Sequence, residues 1–381
     1  MNFSLSDEHR LLRDSARTFL GKEVDLGPLL VPGASVAQAG YDTLWKQMVA
    51  LGWPAMVIPE DLGGLGMSLL DMAMVVGECG RVLAPSPLFG TLAGTWALQM
   101  AASPAQQREW LTPVAEGSAK LALAVASADG RCDQPDCDVA VASVEAGPRL
   151  TGMRPYVVDA AAADLIVVAA GCEQRRWYVV DRHAAGLVVE MMDWRDITRQ
   201  VCTVRLKDTP AVALEGTVSD TWPAIRDRLL LVLAAESSGG LQAVLEDTTA
   251  WAKERTAFGR PIGAYQAIKH SLADMMASAE CAATAVLYAA WSLAEEHADA
   301  ALAVAMAQSC ASEAYREATH RSIQIFGAIG FTWELKNHLY FKRARANMEL
   351  LGSPASHRER VIRILEARAV RRPLSTEQLP V

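Results

Sequence analysis

Aromatic residues are scarce: Phe, Trp and Tyr together make up 6% of the 381 residues. Alanine is abundant instead, and that combination favours closely packed helices over a large β-sandwich. Cysteine is also scarce, with Cys79, Cys132, Cys137, Cys172, Cys202, Cys281 and Cys310 scattered along the chain. An odd, dilute set predicts reduced thiols in a cytoplasmic protein rather than a disulfide framework. Cys132 and Cys137 lie close together in DGRCDQPDCD, but a zinc site needs two more ligands at matching spacing, and no metal is expected. Long basic blocks are missing and the net charge is -8, which argues against a nucleic-acid partner. No uncharged apolar stretch of transmembrane character is present, so no membrane span is expected. The N-terminal run MNFSLSDEHRLLRDSARTFL carries charges every few residues and does not read as a signal peptide.

What is present is a change of texture along the chain. The length exceeds one compact core and predicts two or three domains. Residues 1–117 read as helical. Ser6 is a candidate N-cap, followed by Asp7 and Glu8 and then by apolar residues at helical spacing. Tyr41–Gly52, Leu69–Leu83 and Leu92–Met100 are further helices. Between them IPEDLGGLGMS carries three glycines, which allow a sharp turn or a close approach to a ligand.

Residues 118–216 break into short β-branched runs separated by turn residues. That spacing predicts a small antiparallel β domain. Over residues 217–370 the helical period returns in four long stretches: Trp222–Arg255, Tyr265–His297, Ala300–Phe326 and Asn337–Ala369. Their lengths predict an antiparallel four-helix bundle. The tail at 371–381 has two prolines and no apolar period, and reads as a loose end. The fold class is therefore α+β, mainly α.

Two long motifs narrow the reading. ERTAFGRPIGAYQAIKHSLADM at 254–275 and QIFGAIGFTWELKNHLYFKRA at 324–344 closely resemble signatures of acyl-CoA dehydrogenases. TGMRPYVVDAAAADLIVVAA at 151–170 resembles the β domain of that family, and PEDLGGLGMS at 59–68 its N-terminal loop. The resemblance spans nearly the whole chain. It implies helical, β and four-helix-bundle domains in that order, FAD bound at a subunit interface, and an acyl-CoA thioester substrate. It also implies α,β-dehydrogenation, with an electron-transfer flavoprotein as an electron acceptor, and a homo- or hetero-tetramer.

The resemblance carries site residues with it. Arg255 presents a fork of donors suited to a diphosphate, and the family's matching Arg pairs with the FAD pyrophosphate of a neighbouring subunit. Alone, ERTAFG would favour a surface ion pair of Arg255 with Glu254, and the rest of the motif favours the cofactor role. Phe258 would pack on the dinucleotide, and Gln266 would supply an amide contact. Gln324, Gly327 and Ala328 would run along the FAD adenosine side, although Gly327 also suits a helix C-cap. In the flavin-facing loop, AVASADGRCDQPD, only Ser127 and Asp129 keep any resemblance. That loop either holds the flavin ring or has lost that role. Asp227 stands where the family contacts the pantetheine arm of CoA, with Arg228 beside it. The other reading of Asp227 is an ion pair on its own helix.

The pattern breaks at the catalytic base. Proton abstraction next to a thioester needs a carboxylate near the α-carbon. The family places a glutamate at one of two positions, and here these are Leu351 and Leu229. Two neighbouring acids are candidates. Glu349 lies two residues before Leu351. Glu236 lies seven residues past Leu229, on the same helix face and about 10 Å along the axis. Its small, apolar surroundings would raise its pKa, or it makes a helix-packing hydrogen bond. The texture is similar to that of the base-less small subunit of bacterial heteromeric acyl-CoA dehydrogenases. Three readings follow: a complete enzyme with a relocated base, a non-catalytic partner completing another chain's FAD site, or a different reaction on a CoA thioester.

Overall fold

The computed structural model describes residues 5–36, 40–132, 137–145 and 147–371. Five helices come first: α1 (Asp7–Glu23), α2 (Tyr41–Ala50), α3 (Leu69–Arg81), α4 (Leu88–Ala101) and α5 (Pro104–Ala115). Ser6 caps α1 as expected, its hydroxyl accepting from the His9 N–H at 3.2 Å. Eight strands follow: β1 (Leu121–Ala124), β2 (Val139–Val144), β3 (Gly147–Val158), β4 (Leu165–Ala170), β5 (Arg176–Asp181), β6 (Leu187–Met191), β7 (Val201–Pro210) and β8 (Val212–Thr217). The chain then returns to helix in α6 (Val218–Glu254). A two-residue hairpin, β9 (Thr256–Ala257) and β10 (Arg260–Pro261), leads to α7 (Gln266–Ala294), α8 (Ala300–Phe326), α9 (Asn337–Glu349) and α10 (Pro354–Arg371).

The β region forms two four-stranded sheets, ordered β1-β4-β5-β8 and β2-β3-β7-β6. The first is buried on both faces, which explains the unbroken apolar runs LALA and LIVVAA. Side chains alternate along each strand. Leu121, Leu123, Val167, Ala169, Trp177 and Val179 join the helical core. Ala122, Ala124, Ile166, Val168, Ala170 and Val180 face the other sheet's Val139, Leu150, Val157 and Val204. One pair departs from the antiparallel pattern: β1 runs parallel to β4. Strand β1 enters from a helix rather than a hairpin, so no tight turn sets its direction.

The last predicted helix is in fact two, α9 and α10. Leu351 at φ 61°, Gly352 at φ 115° and Pro354 interrupt it, since a left-handed pair followed by proline cannot continue an α-helix. Helix α6 is long and apolar enough to cross a membrane by composition, yet 83% of that window is buried inside the protein. It crosses α3 through a glycine seam: a Cβ on Gly80 would meet the Glu236 carbonyl at 2.0 Å, and one on Gly239 the Gly77 carbonyl at 1.8 Å. Only glycine permits that approach. The expected tail past Arg371 lies outside the described residues.

The structure also corrects the cysteine reading. Cys137 and Cys172 are joined in a disulfide, with Cα atoms 4.6 Å apart. They are 35 residues apart in sequence, and only the β fold brings them together. The cysteine count therefore no longer argues for a reducing compartment.

Two buried titratable groups set opposite pH slopes. Asp159 accepts from the Tyr41 hydroxyl at 3.1 Å and the Gly90 N–H at 3.0 Å, joining α2 and α4 to the β domain. Burial pushes its carboxyl up to about 6. The native state then holds that proton more tightly than the unfolded chain, so stability falls as pH rises from about 4 to about 6. Burial, and secondarily Lys342, pushes the His338 imidazole down to about 4. There the unfolded chain binds the proton more tightly, and stability rises with pH between about 4 and about 6.5. Asp159→Asn is expected to steepen the acid-side rise in stability and His338→Phe to flatten it. Urea midpoints measured across this window check both signs; parallel curves for wild type and either variant would refute the assignment.

Candidate functional site

A cavity of about 370 Å³ opens where α4, the β domain, α6 and the α9–α10 turn meet. Phe89, Gly90 and Ala93 come from α4, Leu123 from β1, and Val125, Ala126, Asp129, Gly130 and Cys132 from the segment after β1. Tyr156 and Val158 come from β3, Trp194 from the β6–β7 loop, Leu229 from α6, and Glu349, Leu350 and Leu351 from the end of α9. Gly90 lets α4 reach this wall, since a Cβ there would meet Asp159 Cβ at 2.8 Å and the Val158 carbonyl at 2.9 Å.

Seven non-glycine residues among those described have positive φ, and two of them, Tyr156 at 58° and Leu351 at 61°, line this cavity. Tyr156 sits where the β3–β7 register shifts between Arg154 and Val157. Its ring meets Trp194 edge-on at 6.3 Å. Such strain costs about 1–3 kcal/mol per residue and concentrates at functional sites.

Leu229 and Leu351, the two positions where a base is expected, both line this one cavity. Glu349 also reaches its lining and is exposed to solvent. Glu236 does not line it. Its carboxylate accepts from Arg199 Nη2 at 2.7 and 2.6 Å, from Arg343 Nη1 at 2.7 Å and from Asn347 Nδ2 at 3.2 Å. Burial alone would raise the carboxyl, as the sequence suggests, but Arg199 and Arg343 together more than offset it and hold Glu236 below the usual carboxylate range. An ionised carboxylate with its lone pairs committed to two guanidiniums is a poor proton acceptor. These hydrogen bonds are those of a packing residue, and they speak against Glu236 as a base.

The same cluster extends to Asp196, which binds Arg343 Nε, and to Thr198, whose carbonyl accepts from Arg343 Nη2 at 3.0 Å. It abuts the cavity wall, because the Arg199 guanidinium lies 5.0 Å from the centre of the Phe89 ring. Sequence reading missed Arg199, Arg343, Asp196 and Asn347. The signal was the charge-dense segments DWRDITRQ and FKRARAN, which hydrophobic periodicity passes over.

Asp227 is also committed. Arg360 of α10 binds it at 2.7 and 2.8 Å, and Arg226 lies 3.4 Å away. The nearer partner comes from another helix, not from Asp227's own. Arg228 donates to the Ala224 carbonyl at 3.1 Å, and burial lowers its pKa. The Ser127 hydroxyl turns back on its own loop, 2.6 Å from Asp129 Oδ1 and 2.8 Å from the Arg131 carbonyl. The Ser127 hydroxyl, and secondarily the Arg131 N–H at 3.1 Å, hold Asp129 below the usual carboxylate range.

The remaining site residues gather at one end of the bundle. Trp251 near the end of α6 stacks on Phe326 at the end of α8, with ring centroids 4.8 Å apart. Arg255 and the β9–β10 hairpin follow the end of α6, and Gln324, Gly327 and Ala328 lie at the end of α8, so both groups stand at this end of the bundle. Phe258 and Gly259 form the hairpin turn with φ 50° and 79°, as a two-residue primed turn requires. That turn holds the Phe258 ring 96% exposed. Arg255, Gln266, Gln324, Gly327 and Ala328 are exposed too, and Gly327 has the positive φ of a helix end at 75°. None of these six lines the cavity.

A flavin dinucleotide matches these surfaces in halves. The apolar, aromatic cavity suits a flat ring. No Arg, Lys or His lines it, while Asp129 and Glu349 do, so a diphosphate finds no counter-charge there. Arginine donors beside an exposed aromatic ring stand at the bundle end instead.

A β domain between two helical layers, with an apolar cavity at their junction, is the three-part arrangement that the sequence resemblance implies. Residues 6–118 match the acyl-CoA dehydrogenase N-terminal domain, and residues 228–366 match the acyl-CoA dehydrogenase C-terminal domain. The acyl-CoA dehydrogenase IpdE2 of Mycobacterium tuberculosis is 36% identical over 363 residues, covering 95% of this chain and 97% of that protein. The chain belongs to the acyl-CoA dehydrogenase family. Among solved structures, the ChsE4-ChsE5 complex from Mycobacterium tuberculosis superposes with a TM-score of 0.85 at 25% identity, covering 96% of this chain and 99% of that one. The Tcur3481-Tcur3483 steroid ACAD superposes with a TM-score of 0.85 at 27% identity, covering 96% of this chain and 100% of that one.

Proposed function

We propose that this chain is the base-less subunit of a heteromeric acyl-CoA dehydrogenase, and that its bundle end completes a flavin dinucleotide site centred on a partner chain. The observation that carries this is the pair Leu229 and Leu351. Both line one cavity, and neither can take a proton. In such an assembly the bound flavin supplies the hydride acceptor, and the partner's carboxylate removes the α-proton of the acyl-CoA. This chain contributes Arg255 to the diphosphate, Phe258 against the dinucleotide, and the exposed Gln266 and Gln324–Ala328 edge beside them. The ChsE4-ChsE5 and Tcur3481-Tcur3483 structures, each of two different chains, support a heteromer, and a tetramer is the assembly we favour. The steroid relative supports a bulky ring-bearing acyl group as substrate.

A second reading keeps the lone chain as an enzyme with Glu349 as base, because Glu349 reaches the cavity lining. The role of the bundle end, common to both readings, is tested at Arg255. In the mixed assembly, Arg255→Ala is expected to lower flavin retention about tenfold or more, through loss of a charge-assisted contact to the diphosphate. Visible flavin absorbance after gel filtration measures this. Equal flavin content in wild type and variant would remove the proposed role of the bundle end.

A further inference from the structure

We propose that Cys281, Cys310 and Met306 form a site for a soft, thiophilic cation of the copper(I) kind, in a groove between α7, α8 and α10. The groove shares no lining residue with the central cavity. The proposal is therefore independent of whether this chain carries a base.

Helix packing brings the two thiols together. Helices α7 and α8 are joined through residues 295–299 and run antiparallel. Arg321 of α8 pairs with Asp274 of α7 at 3.0 Å and reaches the Ser271 carbonyl at 3.5 Å, which fixes their register. Cys281 lies ten residues past Ser271, about 15 Å along α7. Cys310 lies eleven residues before Arg321, about 16 Å back along α8. Both paths end at the same height. Both residues also line one groove, of about 900 Å³. Burial first, and then the neighbouring Cys281 thiol, push the Cys310 thiol up, as closely placed thiols should. No sequence spacing announces the pair.

A third sulfur joins them. Met306 stands one turn before Cys310, at the i−4 position, and so on the same helix face. It lines the same groove and is 52% exposed, so its thioether is not packed away. Cys281 is exposed as well. Thiolates with a thioether are a donor set that favours copper(I). Zinc takes four ligands from thiolate, imidazole and carboxylate, and no group of three His, Cys, Asp or Glu among the described residues could hold a metal ion. Charge does not oppose a cation, because Arg358, the arginine of the groove lining, is tied to Glu313 at 2.6 Å. Binding is an exchange in which each ligating thiol gives its proton to solvent and the copper stays monovalent.

The test is copper(I) uptake by the full chain from the coloured copper(I)–bicinchoninate complex, without oxygen and with ascorbate holding the metal monovalent. The wild-type chain is expected to withdraw about one equivalent. Cys281→Ser and Cys310→Ser are each expected to weaken uptake about 100-fold or more, and Met306→Leu about tenfold, by loss of one ligand. Cys132→Ser, outside the groove, is expected to change the affinity by less than about twofold. Excess zinc(II) is expected to leave the copper(I) in place. The proposal is overturned if the wild-type chain withdraws no copper(I). It is also overturned if Cys281→Ser/Cys310→Ser withdraws as much as wild type, or if zinc(II) displaces the bound copper(I). Should Cys310→Ser fail to fold, Cys281→Ser, at an exposed position, still decides.

Discussion

Glu236→Leu is expected to cost roughly 3–5 kcal/mol of folding stability, the penalty for removing one partner from a buried ion cluster. Its carboxylate receives hydrogen bonds from Arg199, Arg343 and Asn347, and both arginines are buried. Without it, two guanidiniums share Asp196 as the remaining buried carboxylate of the cluster. Domains of this kind hold only about 5–15 kcal/mol in total, so the variant loses a large share of its margin. The double variant Glu236→Leu/Arg343→Leu is expected to recover part of the loss, because a neutral pair strands fewer charges. Denaturant midpoints measure both. A single-variant loss below about 1 kcal/mol would mean the cluster is hydrated rather than buried. This prediction also separates packing from catalysis: a base removed from a rigid site would lower turnover and leave the midpoint unchanged.

The second large effect concerns chemistry. General-base transfer contributes about 10²–10⁴-fold to rate, and the chain is expected to lack it. Leu229 and Leu351 occupy both places in the cavity wall where a carboxylate would work. Glu236 is engaged behind that wall, and Glu349 stands in solvent at the rim. On saturated acyl-CoA substrates the lone chain should therefore fall below a base-bearing partner assembly by about two orders of magnitude or more. Glu349→Gln should change the mixed assembly's rate by less than about twofold, since an exposed rim carboxylate has no assigned part in it.

Much of this architecture was legible in the sequence. Ala300–Phe326 matches α8 residue for residue, because its helical period is long and unbroken by glycine or proline. Leu229 and Leu351 stand at the expected base positions in the sequence, and the fold puts both in the lining of one cavity. What escaped was non-local. The split between α9 and α10 is the local exception: Gly352 and Pro354 mark it in the sequence, and the helical period on either side passed over them. The Cys137–Cys172 pair needs two β-domain turns brought together. Glu236 looked like a base because its sequence neighbours are small and apolar, whereas its actual partners come from the β6–β7 loop and α9. Arg199 lies 37 residues from it and Arg343 lies 107, and their charges decide its pKa. Asp227 shows the same effect at smaller scale, since its partner Arg360 is 133 residues away.

The central claim is that this chain needs another chain's carboxylate. The direct measurement is acyl-CoA-dependent reduction of an artificial electron acceptor by the chain alone, by a base-bearing partner alone, and by the two mixed. The account predicts little or no turnover from the lone chain, turnover on mixing, and a mixed rate indifferent to Glu349→Gln in this chain. Robust turnover by the lone chain that survives Glu349→Gln and a folded Glu236→Gln would contradict it, placing a working base where none is assigned.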